Sequence, residues 1–208
     1  MQIASYNIRK AVGLDWRRDP ERIVDVLAEI DADVIVLQEA DKRVGTRAGV
    51  LPLDHLETEL GYIMADVSLG PLSHGWHGNA ILLRSDFADH VPARIELPVL
   101  EPRGAVSVLL EQPHIEVIGV HLGLTPGMRR KQMLALQKVV DEREHPVLLA
   151  GDFNEWNSAQ LPFVDPVTVV SPGPSFHASR PTATLDRFVL GQGVHAVSSH
   201  VHLSLIHI

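Results

Sequence analysis

Cysteine is absent from the 208 residues. This excludes disulfides and thiolate metal centres, so any bound metal must take carboxylate, amide or imidazole ligands. No stretch approaches the ~20 apolar residues that a membrane-crossing helix requires. The N-terminal Met1-Gln2-Ile3-Ala4-Ser5 begins at once on a strand-like pattern and does not read as a secretory leader. A surplus of positive charge is also missing. With 18 Lys and Arg against 26 Asp and Glu, the net charge is -8. That balance argues against non-specific binding of a polyanion, which depends on basic side chains neutralising phosphates. The basic run Arg129-Arg130-Lys131 reads as the solvated face of a helix rather than a binding patch. Neither an internal repeat nor a linker interrupts the chain. The expectation is one domain over residues 1–208, in a soluble, cytoplasmic, monomeric protein.

What is present is a 45% hydrophobic complement, enough for a sizeable core, arranged in strand and helix periods. Gln2 to Ile8 alternates as a strand. Asp19-Pro20 is a helix start, with Asp as N-cap and Pro at the first helical position. Ile23, Val26, Leu27 and Ile30 then recur at helical spacing. Val34-Ile35-Val36-Leu37 reads as a buried strand, which makes a βαβ opening. A short helix is expected near Asp54–Leu60. Strands are expected near 62–67, 79–84, 90–97, 105–110 and 115–121. Thr125-Pro126 repeats the start signal for a helix reaching about Arg143. The segment 155–182 is rich in proline and reads as a functional loop. Thr184–Leu190 and Val194–Leu203 read as closing strands. Many strands, few helices and mixed connections predict a layered α/β sandwich.

Val147-Leu148-Leu149-Ala150-Gly151-Asp152-Phe153-Asn154 carries the most information. Its apolar run fits a strand covered on both faces, opening into a loop that holds a carboxylate and a carboxamide two apart. Asp152 beside Asn154 suits activation of a water at a phosphate. The same pair equally suits an Asx-turn, in which the side chains bond their own backbone. Other polar residues share this strand-end placement: Asn7, Glu39, His121 and Asp186. Each alone has a structural explanation, as a satisfied buried amide, a cap, a core histidine or an ion-pair partner of Arg187 or Arg180. Together they are harder to explain that way, because polar groups beside buried strands are costly unless paired or coordinating. His74 with His77, and His200 with His202, read as loop or surface histidines rather than zinc pairs.

Six pieces resemble, in order, the endonuclease/exonuclease/phosphatase superfamily, which includes DNase I, abasic-site endonucleases, sphingomyelinases and inositol polyphosphate 5-phosphatases. They are Ser5-Tyr6-Asn7, Leu37-Gln38-Glu39, Gly78-Asn79-Ala80-Ile81-Leu82, Gly119-Val120-His121-Leu122, Gly151-Asp152-Phe153-Asn154 and Leu185-Asp186-Arg187. The resemblance implies a DNase I-like four-layer sandwich, two packed mixed sheets flanked by helices. It implies a divalent cation, Mg2+ with Mn2+ as a substitute, held by Glu39 with Asn7 in the same shell. Asp152 would polarise or deprotonate the attacking water, Asn154 would hold that water or a phosphate oxygen, and His121 would donate to a non-bridging oxygen. Asp186 would orient a charged histidine, and Asn79 would contact the phosphate. The reaction implied is in-line attack of water on phosphorus in a phosphodiester or phosphomonoester. A nucleic acid or a small phosphorylated molecule would be the substrate.

Two positions depart from the family pattern. Where some members carry an acidic residue two positions after the first-motif Asn, this chain has Arg9, which suits a phosphate ligand. Arg103 is a second candidate for gripping substrate phosphate. The family's closing Ser-Asp-His occurs nowhere; His207 follows Ile206. The sequence therefore predicts that the last strand is missing, with an exposed edge or cleft wall near Val197–Leu203. It also supports a rival function, an impaired or non-catalytic member that binds a phosphorylated ligand or partner.

Overall fold

Several strands are near-continuous apolar runs, so each can bury two faces, and the architecture follows from stacking those faces. A computed structural model describes residues 1–98, 104–177 and 179–204. Arg103 and His207 lie outside the described residues.

The first strand, β1, is Ile3–Asn7. Helix α1, Pro20–Ile30, begins where expected: Asp19 is the N-cap and its side chain accepts the Arg22 N–H at 3.3 Å. Strand β2, Val34–Gln38, is buried at every position and pairs in parallel with β1. Helix α2, Leu53–Leu60, ends on Gly61 in the left-handed conformation. Then follow β3 (Tyr62–Met64), β4 (Ala80–Arg84), β5 (His90–Glu96), β6 (Gly104–Leu110) and β7 (Ile115–His121). Helix α3, Pro126–Asp141, leads into β8 (Val147–Asp152), and β9 (Thr168–Val170) and β10 (Asp186–Leu190) follow.

Two mixed sheets result, one ordered β1-β2-β4-β3 and the other β5-β6-β7-β8-β10-β9. Three apolar clusters separate four layers. Ile23, Val24 and Leu27 of α1 and Leu56 of α2 pack with Ile35, Leu37 and Leu82 on one face of the smaller sheet. Val34, Val36, Ile81 and Leu83 on its other face meet Val106, Val108, Val117, Leu148 and Ala150 of the larger sheet. Ile118, Val120, Leu149 and Val189 turn outward to Met133, Leu136 and Val140 of α3. At Gly119 the sheets leave no room for a side chain: an added Cβ would lie 2.7 Å from Val36 Cγ1. This is the DNase I-like sandwich that the sequence resemblance implied.

Two local expectations are corrected and one is refined. Val194–Leu203 forms no strand, because its alternation finds no ladder among the described residues. Instead, residues 194–204 line a cleft that β1, an edge strand of the smaller sheet, also lines. The 155–182 segment is loop-rich as expected and adds one short strand, in which Thr168–Val170 pairs with Phe188–Leu190. Arg129 is buried rather than solvated.

Candidate active site

The register of the strands assembles the site. Parallel pairing sets His121 opposite Asp152, and antiparallel pairing sets Asp186 opposite Asp152. Paired residues point to the same face of a sheet. Leu148 and Ala150 face the smaller sheet, so Asp152, two and four residues on, continues that face and carries His121 and Asp186 with it. On β1, Ile3 faces the same inter-sheet core, which turns Ser5 and Asn7 toward the acidic row. The contacts agree. Asn7 Nδ2 donates to Asp152 Oδ2 at 3.2 Å, and Ser5 Oγ donates to Asp186 Oδ1 at 3.2 Å. His121 Nε2 lies 3.8 Å from Asp152 Oδ2.

The loop after β8 realises both readings of Asp152 and Asn154. The Asn154 N–H donates to Asp152 Oδ1 at 2.9 Å, which is an Asx-turn, and Asn154 adopts a positive φ of 51°. Its side-chain amide donates to the Leu122 carbonyl at 2.9 Å, tying the loops after β7 and β8 together. Asp152 is thus oriented by one donor on each carboxylate oxygen and still lines the cleft.

A buried ionic network lies beneath these loops. Arg129 Nε donates to Glu155 Oε2 at 2.9 Å, and its Nη1 donates to the carbonyls of Leu124 at 2.8 Å and Gly123 at 3.2 Å. Arg187 Nη2 donates to the Glu155 carbonyl at 2.7 Å. One network therefore joins the loops that follow His121 and Asp152 to the start of the strand that begins at Asp186.

The cleft has a volume of about 1150 Å³. Asn7, Arg9, Glu39, His121, Asp152, Asn154 and Asp186 all line it. Glu39 follows β2 with φ 56° and forms an ion pair with Lys10. Arg9 is exposed, and its backbone N–H donates to Asn7 Oδ1 at 3.1 Å. Asn79 departs from the expectation of a phosphate contact. It is fully buried and its Nδ2 donates to the Gly104 carbonyl at 2.9 Å, so it satisfies backbone between β4 and β6 and does not line the cleft. One member of each histidine pair has a partner away from the other. His74 accepts the Leu51 N–H at 2.9 Å, and His202 meets Glu29 at 3.0 Å.

Electrostatically the acidic row is unresolved. Burial, and then the neighbouring Asp152 charge, push the Asp186 carboxyl up to about 7 against the relief given by the Ser175 and Ser5 hydroxyls. Sequence reasoning missed both serines and Lys10. Ser5 was findable, since it lies two residues before Asn7 on the same strand and must share its face. Ser175 sits in an irregular loop, where no periodicity points to it.

Similarity to known proteins agrees with this geometry. The chain matches the Endonuclease/Exonuclease/phosphatase family over residues 4–206 and belongs to it. It is 31% identical over 174 residues to the uncharacterized protein YbhP of Escherichia coli (strain K12), covering 74% of this chain and 67% of that protein. Its fold is similar to that of an endonuclease/exonuclease/phosphatase protein from Beutenbergia cavernae DSM 12333. There the TM-score is 0.70 at 19% identity, over all of this chain and 68% of the other. It is similar also to D. rerio TDP2 in complex with a single-strand DNA product, with a TM-score of 0.68 at 19% identity over 95% and 87% of the chains.

Proposed function

We propose that the protein is a divalent-metal-dependent phosphoesterase that hydrolyses a phosphodiester or phosphomonoester by attack of water. The observation that carries this reading is the in-register row His121–Asp152–Asp186 facing Asn7 at the mouth of one cleft. A carboxyl perturbed by burial and a neighbouring charge in a cleft, as Asp186 is, makes that cleft a candidate functional site.

Asp152 is the general base. Its orientation is fixed by Asn7 and the Asn154 amide, so it need not reorganise as it takes a proton from water. His121 donates to the phosphate oxygen that gains charge. Arg9, exposed at the rim, attracts and holds the substrate phosphate.

The residues present fit a divalent cation. Among the described residues, no group of three or more His, Cys, Asp and Glu is arranged to hold a metal. Magnesium, however, is commonly held by one or two carboxylates, with waters and substrate phosphate completing its shell. The Glu39 carboxylate with the Asn7 amide oxygen supplies that kind of oxygen-only set. When bound, the ion would supply Lewis-acid polarisation of the phosphoryl group.

Substrate choice lies between nucleic acid and small phosphorylated molecules. The zebrafish TDP2 structure holds a single-strand DNA product, but a shared fold does not select a substrate. The net charge of -8 favours small or short substrates over long duplex DNA. The test is hydrolysis of plasmid DNA, abasic DNA and simple phosphate esters with Mg2+, with and without excess EDTA. We expect turnover that chelation abolishes. Undiminished hydrolysis in EDTA would overturn the metal dependence. Binding of inorganic phosphate without turnover of any ester would favour the non-catalytic reading.

A further inference from the structure

The ion pair on Glu39 is built from backbone outward. Arg9, Lys10 and Ala11 follow Asn7 with φ of 46°, 58° and 59°, all left-handed, and Glu39 itself is left-handed. Such conformations are sterically costly in non-glycine residues and persist only where the surroundings impose them. Here the surroundings are specific. The Lys10 N–H donates to the Glu39 carbonyl at 3.0 Å, and the Lys10 carbonyl accepts Arg18 Nε at 3.1 Å. Lys10 is thereby locked alongside Glu39, and its ammonium meets Glu39 Oε2. Each side chain is 28% exposed. The pair is shielded enough to matter and open enough to be displaced from the cleft that Glu39 lines.

We propose that Lys10 is a placeholder for the divalent cation at Glu39, released when the cation binds and then available to the substrate phosphate. This inference rests on the metal-dependent reading above. Three points support it. The carboxylate oxygen that Lys10 occupies belongs to the residue expected to ligate the ion. A lysine is a point charge on a flexible stem, able to leave one anion for another, where arginine would grip the carboxylate in a two-pronged fork. Lys10 also neighbours Arg9, so a displaced ammonium stays beside the phosphate-binding rim. Lys10 then makes cation and phosphate binding cooperative. The cation must displace the lysine, and the phosphate gives the displaced lysine a new partner. Such linkage is reciprocal.

The test measures Mn2+ binding by calorimetry, with and without about 1 mM inorganic phosphate. It compares wild type, Lys10→Met, Lys10→Arg and Glu39→Gln. Without phosphate, Lys10→Met should bind Mn2+ roughly tenfold tighter than wild type, and Lys10→Arg should bind it more weakly, a typical range for such coupling. Phosphate should tighten Mn2+ binding to wild type by a clearly larger factor than it does for Lys10→Met, in which only direct contact between cation and phosphate remains; an equal factor would overturn the coupling through Lys10. The Mn2+-induced rise in melting temperature should follow the same order, which keeps the comparison readable should one variant be less stable. Equal or weaker Mn2+ binding by Lys10→Met would overturn the placeholder role while leaving the metal reading intact. Binding to wild type that is unaltered by Glu39→Gln would overturn both.

Discussion

Strands β7, β8 and β10 lie side by side and carry a carboxylate at each end, and the two ends treat it oppositely. At one end, Glu116 is almost fully buried. Burial would raise its carboxyl, but Arg143 at 2.6 Å and His145 at 2.9 Å donate to it and hold it below the usual range. At the other end, Asp186 faces Asp152 across the ladder, and burial plus like charge drive it up to about 7. Burial alone therefore does not distinguish the ends; the neighbours do. Where partners of opposite charge were selected, the group holds structure. Where a second carboxylate was placed instead, the fold carries an electrostatic cost that a cation or a proton can relieve.

The comparison breaks most sharply at Asp152. Asp152→Asn keeps shape and burial but removes the base and half of the acidic pair. With Mg2+ present, hydrolysis should fall by roughly 10²–10⁴-fold, the range for loss of general-base catalysis. The melting temperature should not fall, because the repulsion with Asp186 disappears. Wild-type turnover in the folded variant would assign Asp152 a purely structural part.

The opposite result is expected at the other end. Arg143→Met removes the only arginine from Glu116 and should cost about 1.5–3 kcal/mol, the range for hydrogen bonds to charged groups. Activity below the melting transition should be unchanged. The pH dependence has a definite sign. A carboxyl held below its unfolded value of 4.5 contributes stability above that pH and loses it as the pH falls through the lower folded value. The variant's deficit should therefore narrow in acid. Urea unfolding at pH 7 and pH 4 would show it, and a constant deficit would mean that Arg143 acts by packing alone.

Much of this arrangement was legible in the sequence because it rests on local signals. Asp19-Pro20 and the spacing of Ile23, Val26 and Leu27 announce α1, and the apolar runs at 34–37 and 147–151 announce buried strands that end in Glu39 and Asp152. What escaped depends on partners distant in the chain. Thr168–Val170 is a strand only because Phe188–Leu190 offers it a ladder, while Val194–Leu203 alternates without one. Asn79 carries the family motif, yet the Gly104 carbonyl claims its amide. Lys10 reaches Glu39 through a left-handed backbone run that no periodicity encodes. Ser5 meets Asp186 across 181 positions of sequence.

The finest test of the comparison is Asp186→Asn, followed by pH in the presence of chelator so that no cation compensates. The folded-state carboxyl is raised from 3.8 to about 7. Between those values the native protein keeps a proton that the unfolded chain has released, so raising the pH across this window costs stability. Above about 7 the cost is complete and flat. Asparagine cannot ionise, so the variant escapes it. The two proteins should melt together near pH 4, separate steadily as pH rises, and differ by a constant amount beyond about pH 7.5, with the variant more stable. A rise of about three units corresponds to about 4 kcal/mol, so at about 2–4 °C per kcal/mol for a chain of this size the plateau should be roughly 10 °C. Ser5→Ala sharpens the test, because loss of the hydroxyl that donates at 3.2 Å should raise the Asp186 carboxyl further and shift the window upward. A melting difference that does not change between pH 4 and 8 would mean that Asp186 stays ionised beside Asp152, and the two ends of the ladder would then be alike.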